Sequence, residues 1–220
     1  MIKCFIFDLD GTLVNTLETI RYYLNKMLLS NSFPEISLED CRSFVGDGAR
    51  NLVKRALMAR GVDDGGRVDK LTEEYVRGYN ADPYYLTKLY PDVENILSVL
   101  TLRGYKLAVL SNKPDSSVKP IIDKFLPCVF SAVRGARAGE ALKPSPDTTN
   151  ALLSELGIAP SECAFVGDTD VDILTAKAAN LALSVGVSWG FRDAAHLSEA
   201  GADVIADSAA EFLREVLPRA

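Results

Sequence analysis

Aspartates follow two apolar segments of the sequence, at a spacing that suits metal or phosphoryl chemistry. The first motif, DLDGT at residues 8–12, comes directly after the apolar run KCFIFD. Residues i and i+2 of an extended chain point the same way, so we expect Asp8 and Asp10 to share one side of a strand end. Carboxylates held close together repel each other, and a stable site offsets this with a cation or a proton. The alternative is a pair of solvated aspartates in a turn.

A second acidic motif, GDTDVD at residues 167–172, follows the apolar segment CAFVG. Asp168 falls at the end of this predicted strand, and Asp172 lies one helical turn later on the same face. The alternative interpretation is an acidic helix start favoured by the helix dipole. If the two strands are neighbours, four carboxylates converge. Ligands of this kind, without histidine or thiolate, suit a hard divalent cation such as Mg²⁺.

Two further predicted strand and helix ends supply groups that complement an anion. Ser111 and Asn112 close the apolar run KLAVLS and offer a hydroxyl and amides to phosphate oxygens. Lys143, in the segment LKPSP, precedes a helix start, where its ammonium group can balance both an anionic substrate and the carboxylates. Each of these residues alone is typical of a solvated surface, and their order along the chain makes the set specific.

The elements that would position these residues alternate between strands and helices. Apolar runs predict strands at 3–8, 106–111, 128–133, 164–167, 181–187 and 203–206, and apolar stripes predict helices at 92–103 and 146–156. This alternation indicates βαβ units, and therefore an α/β protein with an open, parallel, Rossmann-like sheet covered by helices on both faces.

The segment 16–83 interrupts this alternation, because it contains helical stripes and no convincing strand. We expect a small helical cap at 16–83 inserted into an α/β core formed by 1–15 and 84–220. The insertion would leave from the carboxyl end of the first strand, the edge where open α/β sheets bind ligands. Within it, Arg50 is either a contact for a carboxylate or second phosphate of the substrate or an exposed helix arginine. A purely structural appendage is the alternative to a lid.

Composition narrows the range of partners. The chain has 220 residues, 48% of them apolar, and a net charge of −6, which disfavours nucleic acid and anionic membrane surfaces. Its four cysteines are scattered and show no zinc-binding spacing. Without a signal-like or membrane-spanning apolar stretch, we expect a cytoplasmic protein, either a monomer or a homodimer.

The motifs, taken in order, resemble those of the haloacid dehalogenase-like hydrolase superfamily, and within it the phosphoglycolate phosphatase-like phosphatases. The matching segments are DLDGTLV at 8–14, LSNKP at 110–114, KPSP at 143–146 and VGDTDVD at 166–172. In addition, 188–190 (SWG) is similar to a V-T-W-G stretch of that group. The resemblance covers nearly the whole chain.

The resemblance implies roles for the aligned residues. Asp8 would be the nucleophile, Asp10 the general acid and base, and Ser111 and Lys143 the phosphate binders. Mg²⁺ would be held by Asp8, the carbonyl of Asp10 and Asp168, with Asp172 assisting directly or through water.

The expected function is therefore Mg²⁺-dependent hydrolysis of a small phosphorylated metabolite, first of all 2-phosphoglycolate, through an aspartyl-phosphate. Two other enzymatic readings stay open: a phosphomutase similar to β-phosphoglucomutase, and a pyrophosphatase. An alternative of another class is a noncatalytic, receiver-like module that only accepts a phosphoryl group.

Overall fold

A parallel six-stranded sheet forms the centre of the computed structural model, which describes residues 1–62 and 66–220. In chain order the strands are β1 (Cys4–Phe7), β2 (Val14–Asn15), β3 (Lys88–Leu89), β4 (Lys106–Pro114), β5 (Ala132–Ala136), β6 (Cys163–Gly167), β7 (Leu183–Val187) and β8 (Val204–Ala206). The helices are α1 (Leu17–Ser30), α2 (Leu38–Phe44), α3 (Ala49–Met58), α4 (Val68–Ala81), α5 (Val93–Leu102), α6 (Asp115–Phe125), α7 (Asp147–Leu156), α8 (Asp170–Ala178), α9 (Ala194–Glu199) and α10 (Ala209–Val216).

The strand order is β5-β4-β1-β6-β7-β8, with every neighbouring pair parallel. Strand β1 therefore lies between β4 and β6, with Phe5 opposite Leu107 on one side and Ala164 on the other. This order puts the carboxyl ends of β1, β4 and β6 next to one another. The expected α/β class, with a Rossmann-like parallel sheet, is confirmed.

Alternate residues of β1 pack against opposite layers of helices. Phe5 and Phe7 join the apolar cluster that includes residues of α5 and α10, and the Phe5 ring contacts that of Phe212. Ile6 joins the cluster on the other face, with Leu152 of α7. All four residues of β1 are buried, as expected of a strand covered on both faces.

The helices predicted around α5 and α7 are confirmed, and one strand is displaced. α7 ends at Leu156 and is followed by Gly157, whose positive φ of 66° suits glycine at a helix C-terminus. The strand predicted at 128–133 instead spans Ala132–Ala136, because the chain turns at Cys128, an exposed residue with φ of 62°. The apolar run thus predicted that a strand is present, but not where it begins and ends.

Four helices, α1 to α4, fill most of the predicted insertion at 16–83 and pack against one another. Strands β2 and β3 flank this segment as a short antiparallel pair, with Val14 opposite Leu89. The sequence did not predict this pair, since each strand has only two residues. It brings the two ends of the helical segment together beside the carboxyl end of β1. The division into a core and a cap stays a prediction.

Within the described residues, no helix is both long enough and apolar enough to cross a membrane.

Candidate active site

The carboxyl ends of the three central strands place polar side chains at one edge of the sheet. Asp8 follows β1, Ser111 lies near the end of β4, and Asp168 follows β6. Each is buried, with at most 8% of its surface exposed. Residues distant in sequence therefore meet in one site because parallel neighbouring strands end at the same edge.

Three carboxylates form a tight cluster at this edge. One oxygen from each of Asp8, Asp168 and Asp172 lies within 4.8 Å of the others. Burial, reinforced by Asp172 and Asp10, raises the pKa of Asp8 to about 6 against the lowering effect of Lys143. Burial and the neighbouring carboxylates raise the pKa of Asp168 well above its ordinary value. The cluster thus resists carrying full negative charge without a further cation.

Protein groups hold Asp168 in place. Its Oδ1 accepts a hydrogen bond from Thr12 Oγ1 at 2.9 Å, and its Oδ2 accepts one from the backbone N–H of Phe191 at 2.8 Å. A Cβ built on Gly11 or Gly190 would overlap atoms of Asp168. Glycine at these two positions is therefore what lets the backbone approach the carboxylate so closely.

Lys143 supplies one positive charge to the cluster. Its Nζ lies 3.1 Å from Asp8 Oδ1 and 2.7 Å from Asp172 Oδ1, and the residue is 4% exposed. Burial by itself would lower the pKa of Lys143, but the carboxylates of Asp172 and Asp8 outweigh it and raise that pKa. The ammonium group therefore stays charged beside Asp8 and Asp172.

Asp172 joins this cation to the start of helix α8. Its Oδ2 accepts hydrogen bonds from the Thr169 backbone N–H at 3.0 Å and from Thr169 Oγ1 at 2.8 Å, and its Oδ1 accepts from Lys143. Asp172 therefore caps a helix and orients Lys143 while facing the other two carboxylates.

Asp10 does not share the surroundings of Asp8. Its oxygens accept hydrogen bonds from Lys113 Nζ at 3.0 and 3.2 Å and from Thr16 Oγ1 at 2.6 Å. The chain leaves the extended conformation here, because the Leu9 carbonyl accepts the N–H groups of residues 12–14. Asp8 and Asp10 line the same cavity, but their carboxylates contact different cations. The Asp10 carboxylate is outside the three-carboxylate cluster, so three carboxylates converge where the sequence predicted four.

Lys113, the cation beside Asp10, was not assigned a role from the sequence. Its Nζ lies 4.0 Å from the centre of the Tyr79 ring, on helix α4, and its side chain is 6% exposed. A signal was available, since residues 111 and 113 are two apart on strand β4 and therefore point to the same side. Tyr79 and Thr16 carried no comparable signal.

Ser111 and Asn112 differ in what they can offer a ligand. Ser111 lines a cavity at the edge of the sheet. The Asn112 amide is already committed: Oδ1 accepts from the Lys143 N–H at 2.8 Å, and Nδ2 donates to the carbonyls of Lys143 and Gly46, both at 3.0 Å. Its side chain therefore joins β4 to the Lys143 loop and to the segment between α2 and α3.

The cavity measures about 60 Å³ and lies between the sheet edge and the helical segment. Asp8, Asp10, Ser111 and Lys113 line the side formed by the sheet. The helical side is apolar and aromatic, and is lined by Ile20, Val45, Ala49, Leu52, Tyr75, Val76 and Tyr79.

Arg50 lies away from this cavity. Its Nε is 2.6 Å from Asp69 Oδ1, and 60% of its side chain is exposed. Its neighbours Ala49 and Leu52 line the cavity instead, because successive residues of helix α3 point in different directions. Of the two interpretations of Arg50, the geometry matches the exposed helix arginine.

Comparison with known proteins gives consistent matches over most of the chain. The family described as haloacid dehalogenase-like hydrolase matches residues 5–185. A phosphoglycolate phosphatase of Haemophilus influenzae is 33% identical, over 94% of this chain and 95% of the relative. Phosphoglycolate phosphatase 1 of Pseudomonas aeruginosa is also 33% identical, over 97% and 78%. A crystal structure described as a predicted phosphoglycolate phosphatase from Haemophilus somnus superposes with a TM-score of 0.89 at 29% identity, covering 98% of each chain.

Proposed function

We propose a substrate and a mechanism for this chain, which belongs to the haloacid dehalogenase-like hydrolase family and is a phosphoric monoester hydrolase. The proposed activity is Mg²⁺-dependent hydrolysis of a small phosphorylated metabolite through an aspartyl-phosphate on Asp8. The observation that carries it is the buried contact of Lys143 with Asp8 and Asp172, beside Asp168. A carboxylate beside an ammonium group and a site for a divalent cation can approach a phosphate dianion.

2-Phosphoglycolate is the first candidate substrate. The relatives that match nearly all of this chain are named phosphoglycolate phosphatase. The cytoplasmic location and the monomeric or dimeric state stay predictions from the sequence, and family membership disfavours the noncatalytic, receiver-like alternative.

The residues present fit a Mg²⁺ ion. Carboxylate oxygens of Asp8 and Asp168 and the carbonyl of Asp10 would hold it, with Asp172 assisting, and hard oxygen ligands are those that Mg²⁺ prefers. The raised pKa of Asp8 and of Asp168 supports the fit, because both carboxylates lack enough positive charge in the protein alone. When bound, Mg²⁺ would neutralise part of the charge on Asp8 and on the phosphate.

In the first half of the proposed reaction, the Asp8 carboxylate oxygen forms a bond to phosphorus as the bond from phosphorus to the ester oxygen breaks. Lys143 and the Ser111 hydroxyl hold the phosphate oxygens. Asp10 donates a proton to the departing oxygen, and Lys113 and Thr16 fix the direction of its carboxylate.

In the second half, water attacks phosphorus and the bond to Asp8 breaks. Asp10 accepts the proton of that water, so it returns to its starting state as an acid. Residues of the helical segment line the cavity opposite the sheet edge. In the proposed reaction, this segment would limit the access of other water to the site. The leaving alcohol and inorganic phosphate are the products.

The test is a steady-state assay of the purified protein with 2-phosphoglycolate and a panel of other phosphate esters. We expect many turnovers with Mg²⁺, none in excess chelator, and no rescue by Ca²⁺, whose larger and looser shell misplaces the attacking carboxylate. Asp8→Asn should lose roughly a thousandfold or more in kcat. Asp123→Asn, at an exposed position of α6, is the matched control. Turnover by Asp8→Asn at the wild-type rate, or full activity in chelator, contradicts the proposal.

A further inference from the structure

Positive charge on the cavity wall is confined to one place. Among the residues that the structure describes, Lys113 is the only lysine or arginine that lines the cavity. Arg50 is paired with Asp69 outside it, and Arg55 is held by Asp47 and by the Phe44 carbonyl at 2.8 Å. Among these residues, Lys113 is therefore the cation that an anionic leaving group could contact in the cavity.

Asp10 and Tyr79 fix the position of the Lys113 ammonium group at the cavity. Both oxygens of Asp10 lie within 3.2 Å of its Nζ, and the Tyr79 ring lies 4.0 Å away on the side of helix α4. Because one ammonium group contacts two oxygens of the same carboxylate, it can give up one contact to a new partner and keep the ion pair. Because the side chain of Lys113 is buried, water screens its charge poorly.

The proposed mechanism sets where a leaving-group carboxylate must lie. Asp10 has to reach the ester oxygen within hydrogen-bond distance, about 3 Å. In 2-phosphoglycolate the carboxyl carbon is two bonds from that oxygen, about 2.4 Å away. The carboxylate of the substrate is thus forced close to Asp10 and, with it, to Lys113.

Much of the wall opposite the sheet edge disfavours a carboxylate. Opposite the sheet edge the cavity is lined by apolar side chains, including Val45, Leu52 and Val76. A carboxylate buried against such a surface without a partner is strongly disfavoured. Lys113, beside the hydroxyls of Tyr75 and Tyr79, is therefore the strongest partner for an anion on this wall.

We propose that Lys113 is the specificity-determining residue that selects a leaving group with a carboxylate next to the ester carbon. This inference rests on the proposed phosphatase function. Lys113, near the end of β4, would then make the contact with a substrate carboxylate that the sequence suggested for Arg50.

The experiment compares two esters on each protein preparation: 2-phosphoglycolate and 2-hydroxyethyl phosphate, which has a neutral leaving group of similar length. Both leaving groups need a proton, so any disturbance of Asp10 affects both and cancels in the ratio of their kcat/KM values. The ratio is also independent of how much of a variant is folded. The variants are Lys113→Met and Lys113→Arg, and the control is Lys119→Met, which removes a half-exposed lysine paired with Asp115.

We expect Lys113→Met to lower the ratio by about 10- to 100-fold, the loss typical of one hydrogen bond to a charged group. Lys113→Arg should keep more of the ratio than the methionine variant, and Lys119→Met should leave it unchanged. A ratio altered less than about threefold by Lys113→Met overturns the inference, since a change near that size is within ordinary variation. So does a wild-type protein that hydrolyses only the neutral ester. Failure of the wild-type protein to hydrolyse any phosphate ester would instead overturn the proposed function.

Discussion

Removing the buried ammonium group of Lys143 should destabilise the metal-free protein and make it more dependent on Mg²⁺. The change is Lys143→Met, which keeps much of the apolar stem and removes the charge. The Nζ atom lies 3.1 Å from Asp8 and 2.7 Å from Asp172, and the residue is 4% exposed. The variant leaves three neighbouring carboxylates without their cation.

The size of the effect follows from that geometry. At an effective dielectric constant near 20, each contact corresponds to about 5 to 6 kcal/mol of Coulomb energy. The net loss is smaller, because the variant no longer has to bury an ammonium group and the carboxylates can take up protons. Breaking a buried ion pair on one side typically lowers the free energy of unfolding by about 3 to 5 kcal/mol. For a chain of this length we expect Tm to fall by roughly 6 to 20 °C.

The assay is thermal or urea unfolding in chelator and again with Mg²⁺. We expect Mg²⁺ to raise Tm more in Lys143→Met than in the wild type, because the ion restores positive charge to the cluster. Lys119→Met, which breaks a partly exposed ion pair, should change the free energy of unfolding by less than about 1 kcal/mol. Equal stability of Lys143→Met and wild type in chelator, or equal stabilisation of both by Mg²⁺, would refute this reasoning.

Three further substitutions test other parts of the site. Gly190→Ala should lower the free energy of unfolding by about 2 kcal/mol or more in urea titrations, because its Cβ would overlap Asp168. The control Gly78→Ala, inside helix α4 with its nearest neighbour 3.8 Å away, should instead raise the free energy of unfolding by up to about 1 kcal/mol. Asn112→Ala should lower the free energy of unfolding by about 1 to 3 kcal/mol, because it removes the hydrogen bonds that hold the Lys143 loop. For the same reason it should lower kcat/KM for every ester alike. An effect on KM alone would show direct contact with substrate. Arg50→Ala should change kcat/KM for 2-phosphoglycolate and for an aryl phosphate less than about twofold, and a selective rise in KM for 2-phosphoglycolate would return this residue to the substrate site.

The strand ends of the site could be read from the sequence because their signals are local. Apolar runs mark β1, β4 and β6, and chemically distinctive side chains follow each of them. The parallel arrangement then makes Asp8, Ser111 and Asp168 neighbours. The bounds of strand β5 were harder to predict. The apolar run at 128–133 includes a turn with positive φ, and the strand starts only at Ala132.

Which partner each side chain takes could not be read in the same way. An extended chain would place Asp8 and Asp10 together, but the turn after Leu9 sends one to Lys143 and the other to Lys113. The direction of Arg50 depends on how helix α3 is rotated against its neighbours, and local sequence does not specify that rotation. Contacts between separate elements were thus the least predictable part of the site.

In the proposed mechanism, Asp8 carries the phosphoryl group during turnover. The most direct measurement is rapid quenching of Asp10→Asn during reaction with an aryl phosphate and Mg²⁺, followed by hydroxylamine trapping and peptide mapping. An aryl leaving group needs little protonation, whereas hydrolysis of the intermediate needs Asp10 as a base, so the intermediate should accumulate. We expect a burst of about one phenol per chain and a label on Asp8. Release of phosphate by the wild type at its full rate, with neither a burst nor a label on Asp8 in the variant, would contradict it.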